Sequence, residues 1–85
     1  KSEGALMINL LGLKKNFPLS IENRIERLSN INGGSIHWYG KSKETIGRKM
    51  GHITFLLDEK SYKERFLKSK KLIDEVNRIW PSPYN

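Results

Sequence analysis

Cysteine is absent from the 85 residues. Its absence excludes a disulfide framework, a thiolate zinc site and a cysteine nucleophile, and it agrees with a cytosolic setting. Long apolar runs are missing as well. No stretch approaches the ~20 consecutive apolar residues of a membrane-spanning helix, and the opening residues carry no signal-peptide pattern. Acids are scarce, nine against sixteen Lys and Arg, so the formal charge is +7 and the isoelectric point about 9.9. So basic a balance points to an anionic partner: nucleic acid, a phosphorylated metabolite or a lipid surface. Neither G-x-x-x-x-G-K-[ST] nor G-x-G-x-x-G occurs, which excludes nucleoside triphosphate loops of those kinds from this stretch. No Ser, His and Asp stand in a recognisable triad motif.

What is present fits one small domain over residues 1–85. Ala5 to Leu11 is apolar apart from Asn9 and lies between Gly4 and Gly12, the length and punctuation of a buried strand. Leu13 to Leu19 reads as a loop. Ile21, Ile25 and Leu28 recur at helical spacing, with Ser20 as N-cap and Asn32-Gly33-Gly34 as the stop, and predict a helix over 21–29. Residues 35–40 suit a strand. Gly40 to Gly47 reads as a polar hairpin loop leading to a strand over 48–57. Strict alternation there puts Lys49, Gly51, Ile53, Phe55 and Leu57 on the core face, with Met50, His52, Thr54 and Leu56 opposite. Ser61 to Glu64 has capping-box spacing and opens a helix over 60–79. Its apolar stripe is Tyr62, Phe66, Ile73, Val76 and Trp80, widened by Leu67, Leu72 and Ile79, and Pro81 and Pro83 stop it. The predicted fold is α+β: a small antiparallel sheet with a short helix and a long C-terminal helix.

Carboxylates offer little for acid–base work. Glu22, Glu26, Asp58, Glu59, Glu64, Asp74 and Glu75 all lie on predicted helices or their entrances, where a solvated surface role is the default. His37 and His52 face each other across the proposed hairpin, but a zinc site needs three or four ligands, so packing is the better reading. Seven basic and three acidic residues between 60 and 78 fit a solvated outer helix face. The segment Lys41 to His52 differs. It carries Lys41, Lys43, Arg48 and Lys49 against the single acid Glu44, spaced by glycines. A guanidinium binds two phosphate oxygens at once and an ammonium adds a point charge, so this loop suits a phosphate monoester. An ordinary basic hairpin turn is the bland alternative.

His37-Trp38-Tyr39-Gly40-Lys41, followed after a short gap by Gly47-Arg48-Lys49-Met50-Gly51-His52-Ile53, resembles the C-terminal signature of the carboxyaminoimidazole ribonucleotide synthases, the ATPase subunits of phosphoribosylaminoimidazole carboxylase. Met7-Ile8-Asn9-Leu10-Leu11-Gly12 is similar to an upstream strand of the same family, and the resemblance spans residues 5–57. One departure stands out: the family commonly has Arg-Pro before Gly-Arg-Lys, where this chain has Thr45-Ile46.

The resemblance implies a C-terminal domain of an ATP-grasp ligase of purine biosynthesis, with a fold like a rudimentary single hybrid motif. Such enzymes use ATP and magnesium to activate bicarbonate as carboxyphosphate, which carboxylates 5-aminoimidazole ribonucleotide and leaves ADP and phosphate. ATP and Mg2+ bind mainly in segments before this one. The implied partners are the rest of the parent chain, the aminoimidazole ribonucleotide and a second copy in a homodimer. The opening Lys1-Ser2-Glu3, without an initiator Met, adds the expectation of a piece of a longer chain. Arg48 and Lys49 are expected on the substrate 5′-phosphate with Lys41 assisting, Tyr39 and His52 to shape the pocket or pack in the sheet, and Trp38 in the core. Leu13, Phe17 and Ile46 are either part of a face toward the rest of the enzyme or ordinary loop residues. The competing readings are a small basic nucleic-acid-binding module and a domain that only mediates dimer contacts.

Overall fold

The computed structural model describes residues 4–14, 16–39 and 43–84. In chain order the elements are β1 (Gly4–Leu11), α1 (Ile21–Ser29), β2 (Gly34–Trp38), β3 (Lys49–Leu57) and α2 (Tyr62–Ile79). Each predicted element is present, with ends shifted by one or two residues. The caps explain where the helices begin. Ser20 Oγ accepts from the Asn23 amide at 3.2 Å and Ser61 Oγ from the Glu64 amide at 3.0 Å, so each satisfies an amide that has no partner within its helix.

The sheet is antiparallel with β3 central, in the order β1-β3-β2. Both helices cover the same face, α1 against β2 and α2 against β1 and α1. Alternation along the strands sends Leu6, Ile8, Leu10, Ile36, Trp38, Ile53, Phe55 and Leu57 toward the helices, where they meet Leu28, Leu72, Val76 and Trp80 in one core. The other sheet face, with Ala5, Met7, Asn9, Ser35, His37 and Leu56, is exposed.

Three expectations change. Strict alternation fails at the start of β3, because Leu10 pairs with Gly51 while the next residue, Leu11, pairs with Lys49. Met50 is the extra residue of this bulge and is fully buried. The bulge moves Lys49 off the core face: it lies opposite Leu11, one residue past the inward-facing Leu10, and is exposed. Leu13 is a core residue rather than part of an outer face, and Phe17 packs half-buried against the core, while Ile46 is exposed. The apolar stripe of α2 is buried only in its second half. Tyr62, Phe66 and Leu67 are exposed, and in the second half Ile73 is exposed too while Leu72 and Val76 are buried, because this 18-residue helix has only the nine-residue α1 and an edge strand beside it.

Candidate functional site

The connection from β2 to β3 forms the mouth of a hairpin, and three features hold it. The first is backbone. Gly12, just past β1, donates to the Arg48 carbonyl at 2.7 Å and accepts from the Gly47 amide at 2.9 Å, while the Arg48 amide donates to the Thr45 carbonyl at 3.0 Å. A side chain at Gly12 would put its Cβ 1.9 Å from the Thr45 oxygen, so only glycine lets the two segments meet. The second is a turn: Gly47 has φ 81°, a left-handed conformation, and the Tyr84 hydroxyl would sit 2.7 Å from a Cβ placed there.

The third attachment is an ion pair buried under the mouth. Arg24, on α1, is 1% exposed. Its Nη1 and Nη2 donate to the two carboxylate oxygens of Glu44 at 2.9 and 2.8 Å. Its Nε donates to the Leu19 carbonyl at 3.0 Å. The guanidinium carbon lies 4.3 Å from the ring centre of Trp80 and 5.1 Å from that of Phe17, so aromatic faces flank the cation. Trp80 is itself held by its indole N–H, which donates to the Leu11 carbonyl at 2.7 Å. Glu44 Oε2 also accepts from the Leu13 amide at 2.6 Å. Burial pushes the Glu44 carboxyl up, but the Arg24 hydrogen bonds, the Leu13 amide and the Arg24 charge together hold it below its ordinary value.

Sequence reasoning missed this pair. Glu44 read as the one acid in a cationic loop, and Arg24 was assigned no role. The available signal was position: Arg24 falls three residues after Ile21 and four before Leu28, on the apolar stripe of α1. A cation on a buried stripe needs a partner, and the partner lies twenty residues away. Glu59 also departs from the solvated default, since it is half-buried and pairs with Lys68 at 3.0 Å.

The predicted site residues distribute as follows. Tyr39, His52 and Lys49 share the open sheet face. The Tyr39 hydroxyl is 2.9 Å from His52 Nδ1, with the rings edge-on at 5.8 Å between centres. His37 is the β2 partner of His52, and their rings are 4.9 Å apart, as expected of a facing pair across the hairpin. Arg48 and Lys43 are exposed on the mouth. Lys41 lies outside the described residues. Trp38 packs half-buried against the core, 6.2 Å from Trp80 between ring centres. A cavity of about 300 Å³ opens between Leu13, Lys14 and Asn16 to Pro18 on one side and Pro81 to Pro83 on the other, and Tyr39, Arg48, Lys49 and His52 do not line it. Among the described residues no three or more His, Asp or Glu side chains converge, so they do not fit a magnesium site and no step here runs through that metal.

The family model described as the phosphoribosylaminoimidazole carboxylase C-terminal domain matches residues 5–65. A curated relative, the N5-carboxyaminoimidazole ribonucleotide synthase of Synechococcus elongatus, is 40% identical over 80 residues, which are 94% of this chain and 20% of that protein. The phosphoribosylaminoimidazole carboxylase of Schizosaccharomyces pombe is 39% identical over 61 residues, 72% of this chain and 11% of that protein. Two solved structures from Aspergillus clavatus are similar. Carboxyaminoimidazole ribonucleotide synthase complexed with ATP gives a TM-score of 0.61 at 35% identity, covering 88% of this chain and 19% of the other. N5-carboxyaminoimidazole synthase in complex with ADP and 5-aminoimidazole ribonucleotide gives 0.60 at 34%, covering 87% and 19%. The chain therefore spans about a fifth, or less, of the relatives it matches.

Proposed function

The chain belongs to the phosphoribosylaminoimidazole carboxylase C-terminal domain family, and on that premise we propose that it completes the active site of an ATP-dependent ligase of purine biosynthesis. The reaction joins bicarbonate to 5-aminoimidazole ribonucleotide with ATP, giving the N-carboxylated ribonucleotide, ADP and phosphate. Within it, this segment grips the substrate 5′-phosphate through Arg48 and Lys49, with Lys41 assisting. Tyr39 and His52 shape the neighbouring open face of the sheet. ATP and Mg2+ are held by segments of the enzyme outside this chain, and the working enzyme is a cytoplasmic homodimer.

The observation that carries this reading is the built hairpin mouth. Arg48 stands exposed on a turn that Gly12 ties to β1 and that follows the Glu44 tie to α1, and Lys49 comes next as the exposed first residue of β3, so the backbone that carries both cations is not a free loop. Neighbouring cations on a pinned backbone suit a phosphate anchor, since the anchor holds the reacting amine beside short-lived carboxyphosphate before water reaches it. The similar structure that holds 5-aminoimidazole ribonucleotide supports the substrate class. The test is steady-state kinetics of the full-length protein. Arg48→Ala is expected to raise the KM for the aminoimidazole ribonucleotide at least tenfold while the KM for ATP stays within threefold. Equal KM values for variant and wild type would remove Arg48 from the site.

A further inference from the structure

We infer that Arg24 is a positioning residue that sets the phosphate affinity of the hairpin mouth by holding Glu44 away from its cations. The inference rests on the phosphate-site reading above. Glu44 follows Lys43 directly and precedes Arg48 by four residues, immediately before the turn closed by the Arg48 amide on the Thr45 carbonyl. A free carboxylate at that range competes with a phosphate for the same cations and repels the incoming dianion. Here neither oxygen is free. Oε1 accepts from Arg24 Nη2, and Oε2 from Arg24 Nη1 and the Leu13 amide. The side chains are 15% and 2% exposed for Glu44 and Arg24, so the pair is drawn inward while Lys43, Arg48 and Lys49 stay at the surface.

The receptor for that carboxylate is rigid. The Leu19 carbonyl fixes the Arg24 Nε, Trp80 and Phe17 flank the guanidinium, and the fork matches both oxygens at once. Stability alone is a poor reason for such a pair, because well-packed apolar residues of similar volume commonly serve as well or better. What apolar residues would not do is neutralise the one acid of an anion-binding turn and hold it out of reach. The helix-borne arginine, outside the loop that meets the ligand, thereby makes the loop's effective charge more positive than its composition.

The experiment uses the full-length protein carrying this chain and measures KM for the aminoimidazole ribonucleotide and for ATP, together with kcat. Arg24→Met frees Glu44 and is expected to raise the ribonucleotide KM at least tenfold, with the ATP KM and kcat within threefold. Adding Glu44→Gln to Arg24→Met removes the competing charge and is expected to bring the ribonucleotide KM back to within threefold of wild type. A merely structural Arg24 predicts that Arg24→Met weakens binding of the ribonucleoside that lacks the 5′-phosphate as much as that of the ribonucleotide; that result, or a double variant no better than the single one, would overturn the inference. Arg24→Lys keeps a buried cation but loses the fork. It is expected to give a smaller rise, threefold or more, reversed in the same way by Glu44→Gln, and it keeps the test open if Arg24→Met does not fold. Arg48→Ala separates the two levels. If it raises the ribonucleotide KM and the Arg24 variants do not, the inference alone fails; if Arg48→Ala has no effect, the phosphate-site reading fails and the inference with it.

Discussion

The Arg24 guanidinium and the Glu44 carboxylate, twenty residues apart in the chain, meet through two parallel hydrogen bonds of 2.9 and 2.8 Å beneath the turn that carries Arg48. One interaction thus links α1, the loop after β1 through the Leu13 amide, and the hairpin between β2 and β3. Through the flanking Trp80 ring it also reaches the end of α2.

Removing one partner of this pair is expected to be costly. Glu44→Ala leaves a buried guanidinium without its counter-charge and an unsatisfied Leu13 amide, and should lower unfolding free energy by about 3 kcal/mol. Urea unfolding of the 85-residue chain followed by circular dichroism checks this. A loss within 0.5 kcal/mol, the range of ordinary surface substitutions, would mean that the pair is solvated in solution.

The same pair sets an acid-sensitive component of stability. The folded Glu44 carboxyl lies below its ordinary value of 4.5: burial works against the charged form, and the Arg24 and Leu13 hydrogen bonds with the Arg24 charge outweigh it. A group depressed by folding stabilises above its unfolded value and loses that contribution as the pH falls through the folded one. Stability should therefore fall below about pH 4.5, and the Glu44→Gln variant should lack this part of the fall. Glu59, lowered chiefly by its hydrogen bond from Lys68, adds a component of the same sign in both proteins. The difference between their melting profiles from pH 6 to 3 thus isolates Glu44; parallel profiles would contradict the assignment.

Gly12 and Gly47 should resist substitution for different reasons. Gly12→Ala places a Cβ 1.9 Å from the Thr45 oxygen, so the bridge between β1 and the hairpin must open. Gly47→Ala strains a residue at φ 81° and crowds Tyr84, at a cost of about 1–3 kcal/mol. Amide exchange should show lost protection at position 12 and at Gly47 in the first variant, since their amides donate to the Arg48 carbonyl and to the carbonyl of residue 12, the two bonds that must break. Unchanged protection there would show that the loop packs otherwise.

The unequal burial of α2 makes a further prediction. Leu28→Ala and Leu72→Ala empty core positions and should each cost about 2–5 kcal/mol. Phe66→Ala, at a residue 51% exposed beside the half-stacked Tyr62 ring, should cost about 1 kcal/mol or less in the same chain. Equal losses at Leu72 and Phe66 would mean that the first half of α2 is covered in solution.

These residues also show which parts of the molecule were legible in the sequence. Elements whose signals are local were readable: the Ser20 and Ser61 caps, the Ile21-Ile25-Leu28 spacing, and the stop at Pro81. The pairing of His37 with His52 followed from reading the two strands as the arms of one hairpin. What escaped depended on partners distant in the chain. The bulge at Met50 arises where β3 meets the end of β1, about forty residues earlier, and no period-2 pattern marks it. The inward turn of Glu44 requires a cation supplied by α1, and the burial of Leu13 requires its amide to meet that carboxylate. Of the proposed phosphate contacts, Arg48 is exposed on the mouth, Lys49 is exposed at the start of β3, and Lys41 lies outside the described residues.

The central claim is that Arg48 acts on the phosphate and on no other part of the substrate. The most direct measurement is a cycle of four dissociation constants in the full-length protein: wild type and Arg48→Ala, each with 5-aminoimidazole ribonucleotide and with the ribonucleoside that lacks the 5′-phosphate. A charge-assisted contact of about 1.5–3 kcal/mol corresponds to a factor of roughly 10 to 150. Arg48→Ala should weaken ribonucleotide binding by that factor and leave ribonucleoside binding unchanged. Equal weakening of both ligands would contradict the claim, since the arginine would then be acting on the fold or on the base and not on the phosphate.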